Sequence, residues 1–84
     1  MELHERLEMI RSKEDLAEFV TALHSDFKTN PTSWENDTLD RFLDRMQDWI
    51  RSMGAYYQNT GQECPEMPTW RTFAEILCAA RIYE

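Results

Sequence analysis

Glycine, proline and cysteine are scarce in this chain: two, three and two among 84 residues. Gly54 and Gly61 stand alone, so no glycine-rich phosphate loop is present. Cys64 and Cys78 form no CxxC pair, and the isolated His4 and His24 add no zinc spacing. A disulfide between the two cysteines is possible in principle. However, the charged start MELHERLEMI is no secretory leader, so the expected setting is cytoplasmic with both thiols reduced. No hydrophobic run approaches a membrane span. Positive charge is short as well: nine Lys and Arg face sixteen Asp and Glu, for a net charge of −7. Acids outnumber bases in each third of the chain, so the acidity is not a tail. Such a balance disfavours direct nucleic-acid binding and anionic membranes, and it permits a basic protein partner.

What is present is helical. Hydrophobic residues make up 42% and aromatics 12%, a composition that folds, and the length suits one domain over residues 1–84. β-branched runs are few, while Leu, Met, Glu, Asp and Arg abound. Leu3, Leu7 and Ile10 predict a short amphipathic helix over residues 2–10. Ser12 reads as the N-cap of the next helix, with Asp15 at the capping-box position. Leu16, Phe19, Val20, Leu23 and Phe27 follow at helical spacing, and Asn30–Pro31 stops it. A long helix is predicted over roughly residues 38–59, capped by Asn36 or Asp37, with Gly54 as a point where it loosens or kinks. Gly61 reads as the residue past its end. Residues 62–68 form a proline-bearing loop, and Thr69 caps a last helix. Its expected core stripe is Phe73, Ile76, Leu77 and Ala80, with Trp70, Ala74 and Cys78 at the edges. The expected fold is therefore all-α: a compact bundle of three main helices plus a short N-terminal one.

The long helix carries the most distinctive pattern. Leu39, Phe42, Leu43, Met46, Trp49, Ile50, Met53 and Tyr57 fall in a band roughly 120° wide, centred near Met46. Asp37, Asp40, Asp44 and Asp48 fall in a band about 80° wide, roughly opposite. They do not follow a calcium-binding loop. They lie among Arg41, Arg45 and Arg51 on a polar side, where paired carboxylates gain none of the burial that separates an acid from a base. No nucleophile stands with a base and an orienting group. The expectation is a protein that is not an enzyme and holds no metal or cofactor.

Binding remains. Aspartates four apart stand about 6 Å apart along a helix and offer complementary charge to Lys and Arg. A plain solvated helix face is the bland alternative. Asp44 and Asp48 repel each other at i,i+4, and so do Arg41 and Arg45, so the charges are only partly arranged to stabilise the helix itself. Aromatics at loops and helix ends add possible anchors. Trp70 is assigned to the core; Tyr57 is expected inside and Tyr56 outside. The candidate partner-binding residues are Trp34, Glu35, Asp37, Asp40, Asp44, Asp48 and Tyr56.

Four stretches carry a resemblance: SKEDLAEFVTAL at 12–23, WENDTLDRFLDRMQDWI at 34–50, YYQNTGQECPEMPTW at 56–70 and FAEILCAARIYE at 73–84. Together the chain resembles a family of small acidic bacterial domains of unknown function. The family brings no assigned catalytic residues. Small acidic domains of this sort resemble immunity proteins of bacterial toxin systems, which implies a basic partner, a cognate toxin, in the cytoplasm. Three rival readings are a nucleic-acid mimic that blocks a DNA- or RNA-binding protein, a small structural or regulatory subunit, and a small enzyme using acids with a divalent ion. The oligomeric state stays open.

Overall fold

Helix starts follow the caps. The computed structural model describes residues 2–63 and 67–83; the expectation for Cys64 lies outside them. Helix α1 runs Leu3–Arg6 and tightens into a 3-10 turn at Leu7–Met9. Ser12 opens α2, Lys13–Thr29, by accepting from the Asp15 N–H at 3.1 Å. The Asp15 carboxylate takes the Arg11 N–H at 3.0 Å, one residue before the reciprocal capping-box position. Pro31–Ser33 makes a second 3-10 turn. Helix α3, Leu39–Asn59, passes straight through Gly54 and ends before Gly61, whose φ is +73°. Its N-cap is Thr38, not Asn36 or Asp37: the Thr38 hydroxyl accepts from the Arg41 N–H at 3.2 Å. Helix α4, Trp70–Ala80, begins in a reciprocal Thr69–Thr72 capping box. The described residues hold no strand, and the chain is a compact all-α bundle.

Helix α4 sits at the centre, packing against α3 on one flank and α2 on the other. The N-terminal segment lies across α2 and α4. Helices α2 and α3 make little direct contact with each other. The extents are 34 × 27 × 18 Å, and the shortest leaves room for no more than two layers of helix. So thin a body has little interior. Ile10, Phe19, Leu23, Ala74 and Cys78 form the buried cluster, under Leu3, Leu7 and Leu16.

This arrangement rotates α4 from its expected setting. Ala74 and Ala80 are wholly buried, because small residues lie where neighbouring helices press closest. Phe73 and Trp70, expected in or beside the core, are each 44% exposed on the flank. Tyr57 is buried and Tyr56 is exposed, as expected.

Asn36 is the unexpected buried polar residue. Its Nδ2 donates to the Ala80 carbonyl at 2.8 Å and the Tyr83 carbonyl at 2.9 Å. Its backbone N–H donates to the Arg81 carbonyl at 3.0 Å. The end of α4 has orphan carbonyls that need donors, and a residue from the α2–α3 connection supplies them. The clamp fixes where α3 begins relative to α4. Beyond it, Tyr83 packs edge-on against Trp49 with centroids 5.6 Å apart.

Candidate functional site

The apolar band of α3 is wider than its contact with α4. Phe42, Met46, Trp49 and Met53 are half-buried, and Tyr57 is buried. Leu39, Leu43 and Ile50 share the other margin of the band and stay exposed; Leu39 is 72% exposed. Across from Leu39 and Phe42, α2 presents Val20, His24 and Phe27. Between the two helices runs an open groove of about 350 Å³. Leu77 of α4 forms its floor, and Phe73 lies one turn back along the same side of that helix. The groove exists because α2 and α3 both lean on α4 and not on each other.

Trp34 joins the two walls. Its ring meets Phe27 edge-on at 5.1 Å and stacks against Phe42 at 5.9 Å, and its indole N–H donates to Asp26 Oδ2 at 2.8 Å. It is half-buried and holds the groove's shape from within. Glu35 beside it is exposed. Asp37 lines the groove directly. Asp40 and Asp44 each follow an exposed leucine by one residue, so their carboxylates border the apolar stripe about 100° round the helix.

The acids are not equally free. Asp37 pairs with Arg41 at 3.3 Å. Arg45 reaches Asp44 at 2.5 Å and Asp48 at 3.1 Å. Asp44 also accepts from Gln47 Nε2 at 3.1 Å. Hydrogen bonds from Arg45 and then Gln47, with the Arg45 charge behind them, hold the Asp44 carboxyl below its ordinary range. Asp40 and Glu35 have no ion pair among the described residues. Trp34 and Asp37 therefore line the groove, while Asp40, Asp44 and Asp48 continue the acidic flank along α3. Tyr56 is elsewhere. It packs on Trp49 at 4.9 Å and borders a separate hollow near the chain's C-terminal end.

Periodicity places Val20, Leu39 and Leu43 in the apolar bands of α2 and α3 but gives no warning that they stay uncovered. Only the width of the α3 band, which exceeds what one neighbouring helix covers, hinted at it. Elsewhere, Glu75 is the most enclosed acid in an ion pair, and it is fully engaged: it accepts from Arg71 Nε at 2.9 Å and from the Tyr57 hydroxyl. The described residues hold no group of three or more His, Cys, Asp or Glu side chains able to grip a metal ion. Among the described residues no helix is long and apolar enough to cross a membrane.

Fold and groove define a small helical domain with an uncovered apolar furrow and an acidic rim. The chain belongs to a family of unknown function, DUF7660, whose model matches residues 12–84. No curated protein and no solved structure matches it.

Proposed function

We propose that this chain is a non-enzymatic protein-binding module whose α2–α3 groove receives a basic amphipathic helix. The observation that carries the reading is a groove lined by exposed Leu39 and Val20 with Asp37 in its wall, and with exposed Leu43, Asp40 and Asp44 following along α3. An apolar trough walled by α2 and α3 and floored by α4 accepts the apolar face of a partner helix, as groove-binding modules do. The acidic rim selects Lys and Arg on that helix and speeds its encounter. A second copy of the chain is a poor occupant, since two −7 surfaces repel.

Among binding modules, the role we favour is that of an immunity protein: a cytoplasmic bacterial domain that neutralises a cognate toxin by covering a basic surface. Acidity, small size and the family's small acidic domains support it. The pairing of Asp37, Asp44 and Asp48 with arginines weighs against a nucleic-acid mimic, which needs an array of unneutralised charge.

The test is co-expression with the product of the adjacent gene. That product is expected to be toxic alone, harmless with this chain, and to co-purify with it. Leu39→Ser/Leu43→Ser should raise the dissociation rate roughly tenfold or more. Asp40→Asn/Asp44→Asn/Asp48→Asn should chiefly slow association and flatten its salt dependence. A neighbouring product that is neither toxic nor bound removes the immunity reading. A bound partner indifferent to both variants removes the groove.

A further inference from the structure

The two rims of the α2–α3 groove carry unlike charge. On the α3 side Asp37 stands in the wall, and Asp40 and Asp44 follow about 100° and 140° round the helix from Leu39. Asp37 and Asp44 are shared with Arg41 and Arg45, while Asp40 has no ion pair among the described residues. Arg51 lies two turns past Asp44, beyond the part of α3 that lines the groove. On the α2 side the rim holds no acid. Outward from Val20, over about 100° of that helix, come Ala17, Thr21, His24 and Lys28, with Lys13 at its start. Glu14 and Glu18 lie further round, about 120° and 160° from Val20. Lys13 reaches Glu14 at 4.0 Å. His24 lines the groove, and Lys28, one turn beyond it, is exposed. Among the described residues Lys28 has no ion pair, and none crosses from α2 to α3.

We propose that the occupant of the groove is a helix whose two flanks differ in charge. Lys and Arg run along the flank facing α3, and Asp or Glu along the flank facing α2. The inference rests on the groove reading above and narrows its basic helix to a laterally charged one. A helix with Lys on both flanks would set one row against His24 and Lys28, and like charges across an interface oppose docking. The net charge of −7 attracts every basic helix alike, whereas the rims decide how the helix lies. Turning a helix end for end exchanges its flanks. The rims therefore also fix the N-to-C direction of the partner, which apolar contact, being non-directional, leaves free. Single exposed charge pairs contribute little, so the rims supply the choice of direction while the apolar floor supplies most of the affinity.

The probes are three synthetic amphipathic peptides of about 18 residues, long enough to hold a helix, with one apolar face and one composition in common. The first has Lys and Arg on one flank and Glu on the other. The second exchanges those flanks, and the third mixes the same charges over both, so that net charge is constant. Each is titrated into the full chain and followed by ¹H–¹⁵N spectra, then again with a nitroxide at the peptide N-terminus. The first two are expected to bind alike and about fivefold tighter than the third. They should lie in opposite directions: one nitroxide broadens signals chiefly at the Phe27–Trp34 end of the groove, the other at the Val20 end. Lys28→Glu puts an acid on the α2 rim and should cut the advantage to about twofold or less. A mixed peptide that binds wild type as tightly, a nitroxide at the same end for both, or a preference untouched by Lys28→Glu overturns the proposal and leaves the groove reading standing. Peptides that leave the Val20 and Leu39 signals unmoved up to about 1 mM overturn both.

Discussion

Replacing Asn36 by Ala tests the joint between the connection and the C-terminal end of α4. The side chain is 8% exposed and spends its amide on two carbonyls, at 2.8 and 2.9 Å. Alanine deletes both bonds but keeps the backbone N–H donation to the Arg81 carbonyl. A net hydrogen bond contributes about 1 kcal/mol, and a buried acceptor left bare costs about 1–3 kcal/mol. The Ala80 carbonyl sits in the buried bond, while the Tyr83 bond is only part-buried. One full penalty and one net bond together give a loss of about 2–4 kcal/mol. An 84-residue domain is stable by about 4–12 kcal/mol, so the loss is a large share of the total. Urea unfolding followed by tryptophan fluorescence measures it. Asn36→Asp sharpens the test, since it swaps the donor for a carboxylate facing two carbonyl oxygens, and it should be worse than alanine. If Asn36→Ala falls within about 0.5 kcal/mol of wild type, or Asn36→Asp is no worse than Ala, the clamp does not hold the fold together.

Two paired substitutions examine the rest of the architecture. Phe19, 2% exposed, should cost about 3–5 kcal/mol when cut to Ala, whereas Phe73, 44% exposed, should cost well under half of that; equal losses in chemical denaturation would put Phe73 back in the core. Gly54 lies inside α3 with open space around its Cβ position, so Gly54→Ala should stabilise by about 0.4–1 kcal/mol. Gly61 has φ +73°, so Gly61→Ala should destabilise by about 1 kcal/mol; melting temperatures moving in the same direction for both would contradict the backbone assignment.

Much of this molecule was legible in the chain. Ser12 and Thr69 announce their helices because a cap needs only a side-chain oxygen within three residues of an orphan N–H. The end of α3 before Gly61 is equally local. The charge row on α3 was visible because helix geometry alone places Asp40, Asp44 and Asp48 on one side; Asp37, expected in the same row, precedes the Thr38 cap and lies outside the helix. The row's partial neutralisation, by Arg41 at Asp37 and by Arg45 at Asp44 and Asp48, depends on the rotamer each arginine takes.

The residues that define the groove went unrecognised for a single reason. Periodicity says which side chains share a face, but not how much of that face a neighbour covers. Leu39 and Met46 look alike in the pattern, yet one is open to solvent and the other is half-covered. The same limit hid Asn36, which reads as an ordinary cap candidate. Its true partners lie 44 and 47 residues away, on an element it meets only after folding.

By itself, then, the sequence determined the helices, the caps of α2 and α4, the amphipathic sides and the acid load, since each depends on residues within a turn or two of one another. The tertiary structure alone decided that α4 lies between α2 and α3, that small alanines take its crowded faces, and that the flanking helices stand apart. Those outcomes depend on which surfaces compete for burial in a body about two helices thick. In that competition Leu39, Leu43 and Val20 were left uncovered.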